Sequence, residues 1–306
     1  MKDIAIFAEE SSLFASPFLA DALDCPLYVK LPQYNNLMGG GRKGIHYDGG
    51  KAIKEKNLII VGVSALLSIA DMIGRFKSVS VIFSDSLCAS EYLTWNKIVD
   101  KYKIPVYIMP GLIPYCNGDY IPVYQTIKTI FPVGTKPSDR IVIAHSPRDS
   151  VKRQVKGTPY IIKVIDDLKN KYPIELLLIT NKTIKECIQL KSKAHIFIDQ
   201  IVYGNKEIPQ GRFGGKIRYE GDLSKSGQEA MILGCCTITG AVKPDTSRYF
   251  PCPPVIWTSY NDFPNDLEKT IQDTAYRNKK AEEQMMWARE YLSSEFVAKH
   301  ITQHIK

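Results

Sequence analysis

Two groups of residues in the second half of the chain have the types and spacing for anion chemistry. The first is the stretch from Tyr219 to Cys236, YEGDLSKSGQEAMILGCC. Polar, Gly- and Ser-containing residues lead into the apolar run Ala230–Leu233, so a loop should enter a short helix there, with a strand after it. Ser224, Ser226 and Gly227 fall at the helix start. The first backbone N–H groups of a helix lack an internal partner and carry partial positive charge, which suits a phosphate. Glu229 follows about one turn later, and a carboxylate beside a phosphate site can accept from two ribose hydroxyls. The same residues also fit a capped core helix with Gly234 as its stop. The second group is Arg148, Lys152, Arg153 and Lys156, between an expected strand end and a helix start. Arg offers a planar fork and Lys a point charge, a pairing that fits a diphosphate. A solvated charged loop is the equal alternative.

These residues must be positioned by regular elements, and the hydrophobic pattern supplies them. Residues 3–8, Pro26–Val29, Leu58–Val61, Val79–Ser84 and Pro105–Met109 read as strands. Ser11 or Ser12 to Leu23, Ser64–Phe76 and Ala89–Tyr102 read as helices. Strands alternating with helices over short connections predict a parallel doubly wound sheet, with ligands outside the carboxyl ends of the strands. The pattern fades over 33–55, a long loop holding Gly39-Gly40-Gly41, Arg42, Lys43 and His46, and again over the Pro-rich stretch 110–137. A second alternating run begins at Arg140. It has strands Ile141–Ala144, Ile174–Ile179, His195–Asp199, Cys236–Thr239 and Val255–Thr258. Helices from Gly157 to about Lys171 and over Thr183–Leu190 separate them, with an irregular Gly-rich segment 204–227 and a helical tail 264–304. The expected fold class is therefore α/β, two Rossmann-like domains facing across a cleft.

Bulk properties narrow the function classes. A chain of 306 residues suits two domains. No apolar run is long enough to predict a transmembrane segment, and Met1-Lys2-Asp3 leads straight into a strand without a signal-peptide layout. Seven cysteines, an odd number with no C-x-x-C pair, suit reduced thiols in a cytoplasm (a host cytoplasm if the source is viral). Residues 1–135 hold 13 Lys+Arg and 12 Asp+Glu, a net of +1; the remainder holds 40−13 = 27 and 32−12 = 20, a net of +7. The basic excess lies with the anion-binding candidates.

His145-Ser146-Pro147 followed by Arg153-Gln154-Val155-Lys156-Gly157-Thr158 resembles the H-x-P…R-x-x-K-G-T segment of nucleotide-sugar glycosyltransferases with the GT-B fold, of the retaining group 1-like kind. Ile196–Gln200 is similar to their "DQ" strand end, and Gly227-Gln228-Glu229-Ala230-Met231-x-x-Gly234 to their G-x-E-A-M-x-x-G. The three segments occur in the family's order and cover about residues 140–240. The resemblance implies an N-terminal Rossmann-like acceptor domain, 1–135, and a C-terminal Rossmann-like domain, 136–285, that binds the nucleotide sugar. A C-terminal helix, 286–306, would pack back toward the first domain. It implies that Arg153 and Lys156 hold the donor diphosphate and neutralise the leaving group, and that Glu229 binds the ribose. Arg148, Asp199, Gln200, Glu220, Ser224, Ser226 and Gly227 join the donor set. A UDP-sugar is the first candidate donor, with no other cofactor, stereochemical retention and no metal. The absence of any Asp-x-Asp fits a diphosphate held by Arg, Lys and a helix end. Two departures stand out. Glu220 and Glu229 are nine positions apart where the family often has eight, and Glu9-Glu10-Ser11-Ser12 replaces the family's Gly-rich loop after the first strand.

The acceptor side is therefore open. Double-stranded DNA carrying a hydroxymethylated pyrimidine, as in phage-type DNA glycosyltransferases, fits the compact chain and its basic balance. The base would be flipped out and the phosphates gripped by Arg42, Lys43, Arg212, Lys216 and Arg218. Asp85 or His46 would meet the acceptor hydroxyl, although Asp85 equally fits a helix cap and His46 a loop residue. A surface polysaccharide or lipid-linked glycan is the alternative acceptor, and a non-catalytic nucleotide or nucleic-acid binding module the alternative class. His195 reads as structural, and His300 and His304 as a solvated face.

Overall fold

The computed structural model describes residues 3–8, 16–29, 45–46, 53–83, 92–108, 110, 121–123, 134–147, 156–201, 207–209, 216–218, 223–241 and 243–303. The chain separates into two compact units, residues 1–128 with 291–306, and residues 129–290.

In unit 1 the apolar runs become buried strands. β1 (Ile4–Ala8) is buried at every residue, and β4 (Asn57–Val61) and β5 (Ser78–Phe83) are buried except at their first residue. Strands covered on both faces need apolar side chains at every position, which is why they read as runs and not as alternation. With β2 (Leu27–Val29), β3 (Ile45–His46), β6 (Val106–Ile108) and β7 (Ile121–Pro122) they form an all-parallel sheet, ordered β3-β2-β1-β4-β5-β6-β7. β3 falls inside the expected long loop and β7 inside the Pro-rich stretch. The helices are α1 (Ser16–Ala22), α2 (Val63–Ser68) followed by a 3₁₀ turn, Ala70–Arg75, and α3 (Tyr92–Tyr102).

Unit 2 is built on β8 (Ile141–His145), β9 (Ile174–Leu178), β10 (Ile196–Ile198), β13 (Cys236–Thr239) and β14 (Ile256–Trp257), parallel and ordered β14-β13-β10-β8-β9. The order reverses between β8 and β10. That is the switch point of an open α/β sheet, where the loops from two neighbouring strands part and leave room for a ligand. The expected irregular segment 204–227 is corrected in part: β11 (Glu207–Pro209) and β12 (Lys216–Arg218) pair antiparallel within it. Helices flank the sheet of this unit. α4 (Thr158–Lys169) buries Ile161, Val164, Ile165 and Leu168, one stripe at helical spacing. α5 (Ile184–Lys191) starts at a capping box between Thr183 and Glu186. α6 (Lys225–Ile232) follows Ser224, and α7 (Phe263–Gln272) follows β14.

The expected helical tail 264–304 divides into α7, α8 (Thr274–Tyr291) and α9 (Ser294–Thr302). The Arg277 guanidinium donates to the carbonyls of Thr270 and Ile271 at 2.9 Å each, satisfying the end of α7. Buried Gln284 accepts from Thr237 N at 2.6 Å and donates to Thr237 O at 3.2 Å, docking α8 on β13. α9 packs on α1 in unit 1, where Tyr107 Oη donates to Ile301 O at 2.8 Å. His300 Nε2 donates to Pro122 O at 3.1 Å, so this histidine is buried and not on a solvated face. No helix among the described residues is long and apolar enough to cross a membrane.

Candidate functional site

The site is assembled at the carboxyl ends of β8 and β10. His145 closes β8 and is fully buried. Its Nδ1 lies 2.7 Å from Ile198 O, and its Nε2 lies 2.8 Å from Thr158 Oγ1. A carbonyl only accepts, so Nδ1 carries the proton. Burial pushes the ring's pKa down to about 4, so the imidazole is neutral and Nε2 accepts from the Thr158 hydroxyl. One side chain thus bolts β8 to β10 and to the first residue of α4.

The turn before α4 needs Gly157. Its φ is +71°, and a Cβ there would lie 2.0 Å from Ile201 O. This close approach lets Ile201 N donate to Lys156 O at 3.1 Å, and it delivers Lys156 to the end of β10.

There the Lys156 ammonium donates to Asp199 Oδ1 and to Ser224 Oγ, both at 2.9 Å. Ser224 N donates to Asp199 Oδ2 at 2.8 Å, and the Ser224 hydroxyl donates to Oδ1. The Lys156 side chain is 13% exposed and that of Asp199 0%. Gly227 makes the approach possible: a Cβ on it would lie 2.9 Å from Leu223 Cδ1 and 3.1 Å from the Asp199 carboxyl. The start of α6 therefore already faces an anion, and it is the protein's own Asp199. This corrects two expectations. Asp199 has both oxygens committed inside the protein, so it positions Lys156 and α6 and is not itself exposed to a donor. The first N–H at the helix entrance, that of Ser224, is spent on Asp199, leaving the later N–H groups of the first turn, at Ser226 and Gly227. An ammonium has three donors, and two of those of Lys156 go to partners among the described residues. The third is available to a ligand.

Glu229 lies one turn along α6. Its Oε2 accepts from the Lys191 ammonium at 2.6 Å, with the Lys191 side chain 2% and the Glu229 side chain 15% exposed. Lys225 stands one turn before Glu229 on the same helix. Burial lowers its pKa, against the pull of Glu229 and with the help of Lys191. Lys156 and Lys191 are paired with Asp199 and Glu229 at the mouth of α6, and Lys225 stands beside them on the helix.

Of the other candidates, Gln200 is buried beside Asp199, and its carbonyl accepts from Gly240 N at 2.6 Å. His46 ends β3, and Lys216 and Arg218 lie on β12. Arg148, Arg153, Glu220, Asp85, Arg42, Lys43 and Arg212 lie outside the described residues. His195 Nδ1 accepts from Val142 N at 3.1 Å, a structural use. Sequence reasoning passed over Lys191 and left His145 without a role. For Lys191 no sequence signal exists, since Leu190-Lys191-Ser192-Lys193 reads as a solvated helix end. For His145, the apolar run before it and Thr158 in the same motif were the available signs.

No protein-family model matches the sequence, and no curated protein matches it. Solved structures do match in shape along nearly the whole chain. A sucrose-phosphate synthase from Thermosynechococcus elongatus superposes with a TM-score of 0.64 at 11% identity, over 99% of this chain and 98% of that one. HepE from Anabaena, in complex with UDP-glucose, gives 0.62 at 12% identity over 98% of each. MnaA from S. aureus, in complex with UDP, gives 0.53 at 11% identity over 99% and 96%. At these identities the likeness shows the fold: two parallel-sheet α/β domains, of the GT-B class.

Proposed function

We propose that this chain is a glycosyltransferase that takes a sugar from a nucleotide-sugar donor, a UDP-sugar first among them, and moves it to an acceptor hydroxyl. One observation carries the reading. A lysine ammonium is pinned by Asp199 and Ser224 at the switch point of a parallel sheet, at the entrance of a helix, with a donor to spare. In this fold class, HepE has been solved with UDP-glucose and MnaA with UDP. Breaking the bond between the sugar's anomeric carbon and the diphosphate oxygen puts negative charge on the leaving group. Lys156, with Arg153 and Arg148 on the same stretch, neutralises that charge. The donors of Ser226 and Gly227 at the start of α6 add to it, and no metal is required of this set. Glu229 accepts from the ribose hydroxyls, and Glu220 stands near it in sequence. Asp199 holds Lys156 and the start of α6 in place, with Gln200 next to it at the end of β10. Retention of configuration follows from the resemblance noted in the sequence.

For the acceptor we propose hydroxymethylated pyrimidine in duplex DNA. Arg42, Lys43, Arg212, Lys216 and Arg218 would contact phosphates, and Asp85 or His46 the acceptor hydroxyl. The basic excess of the second half supports this choice. Transfer from radiolabelled nucleotide sugars is measured in parallel to hydroxymethylcytosine DNA, hydroxymethyluracil DNA and a lipid-linked glycan extract. Label in the DNA, reduced about 10²–10³-fold by Lys156→Ala, is the expected result. Label only in the glycan moves the function to glycan synthesis, and label in neither, with no donor hydrolysis, removes the enzyme reading.

A further inference from the structure

Lys191 is the last residue of α5, and its side chain is 2% exposed although Lys193, two positions on, is exposed. Its ammonium lies 2.6 Å from Glu229 Oε2 on α6 and 5.5 Å from the centroid of the Phe197 ring on β10. Three elements thus converge on one buried cation. A buried ion pair seldom stabilises a fold beyond what an apolar pair of the same volume would do, because both ions lose their water. A pair retained in such a place is better explained by what it does to the partner. Here the partner is the more exposed member, at 15%. Its Oε2 is anchored, and no partner for Oε1 is seen among the described residues. A carboxylate anchored through one oxygen is restrained in its rotation and presents its other oxygen in a preferred direction. That is the arrangement a vicinal diol needs from an acceptor, since the two hydroxyls must find lone pairs in fixed places.

Resting on the function proposed above, we infer that Lys191 is a positioning residue for donor recognition: it locks Glu229 so that the carboxylate reads the ribose diol of the nucleotide. Lys191 itself touches no substrate in this scheme. Its removal should therefore loosen discrimination at the ribose more than it weakens diphosphate binding, which remains with Lys156.

The test is calorimetric binding of UDP, ADP and GDP and of their 2′-deoxy counterparts to the full chain. Wild type should prefer the ribonucleotide about tenfold or more, the factor expected for a hydrogen bond to a charged group. Glu229→Gln should lose most of that preference. Lys191→Met and the polar Lys191→Gln should each bring the ratio below about threefold, and Lys191→Arg should restore it in part. In the Glu229→Gln background, Lys191→Gln should add nothing, because the two act as one unit. A folded Lys191→Gln or Lys191→Met protein with the wild-type ratio, while Glu229→Gln loses it, overturns the role of Lys191 and leaves the proposed function standing. Wild type binding none of the diphosphates overturns both.

Discussion

Replacing Asp199 by asparagine keeps the shape of the side chain and removes its charge, at a residue with 0% exposure. Three contacts depend on that charge: those from the Lys156 ammonium, the Ser224 hydroxyl and the Ser224 N–H. An amide has one oxygen to offer and would turn an NH₂ donor toward a group that is itself a donor. Lys156, 13% exposed, would be left as a largely buried cation without its counterion. Removing one partner of a buried pair costs about 3–5 kcal/mol, and the retained amide oxygen argues for the lower end, about 3. For a unit of this size 1 kcal/mol corresponds to about 2–4 °C, so unit 2 should melt roughly 6–12 °C lower. The assay is thermal and urea unfolding followed by circular dichroism, with a double-mutant cycle. Adding Lys156→Met to Asp199→Asn should recover at least about 1 kcal/mol, because the orphaned charge is then gone. A melting point within about 2 °C of wild type, or strictly additive losses, would refute the argument that Asp199 exists to hold Lys156 and α6.

Other outcomes follow from the same geometry. Gly157→Ala places a Cβ against the Ile201 carbonyl, 2.0 Å away, at φ +71°. It should cost more than the roughly 1–2 kcal/mol of a left-handed residue alone, read as a lowered urea midpoint; an unchanged midpoint would show that the turn relaxes freely. His145 has a folded pKa of about 4 against 6.5 unfolded, so the unfolded chain binds the extra proton between those values. The stabilisation is fully present above about pH 6.5 and is lost as pH falls toward 4, amounting to roughly 3 kcal/mol. His195, also lowered to about 4 by burial, acts in the same direction. The loss of stability between pH 7 and 4.5 should be smaller in His145→Asn than in wild type, and an equal loss would assign the proton uptake elsewhere.

The parallel sheets were legible because strands buried on both faces are forced to be apolar runs, as in Ile141-Val142-Ile143-Ala144 and Leu58-Ile59-Ile60-Val61. The two-residue edge strands at Ile45-His46 and Ile121-Pro122 were not, since two residues carry no period. Nor was the β11–β12 pair, whose segments Glu207-Ile208-Pro209 and Lys216-Ile217-Arg218 mix charge and proline with a single apolar residue each. Lys156, Asp199 and α6 were legible as neighbours at strand ends. What the chain order hides is who faces whom. The family resemblance put Asp199 in the donor set, yet its burial turns it inward. Lys191 looked solvated because its partner, Glu229, lies 38 positions away.

On the proposed function, the β8–β10 switch point of unit 2 holds a nucleoside diphosphate through Lys156. Isothermal titration of UDP and UDP-glucose into wild type and Lys156→Met tests it directly. Wild type should show saturable one-to-one binding, weakened about 10–100-fold in the variant, the loss expected for a charge-assisted hydrogen bond. Equal affinity in a folded Lys156→Met protein, or no binding to wild type, would contradict it.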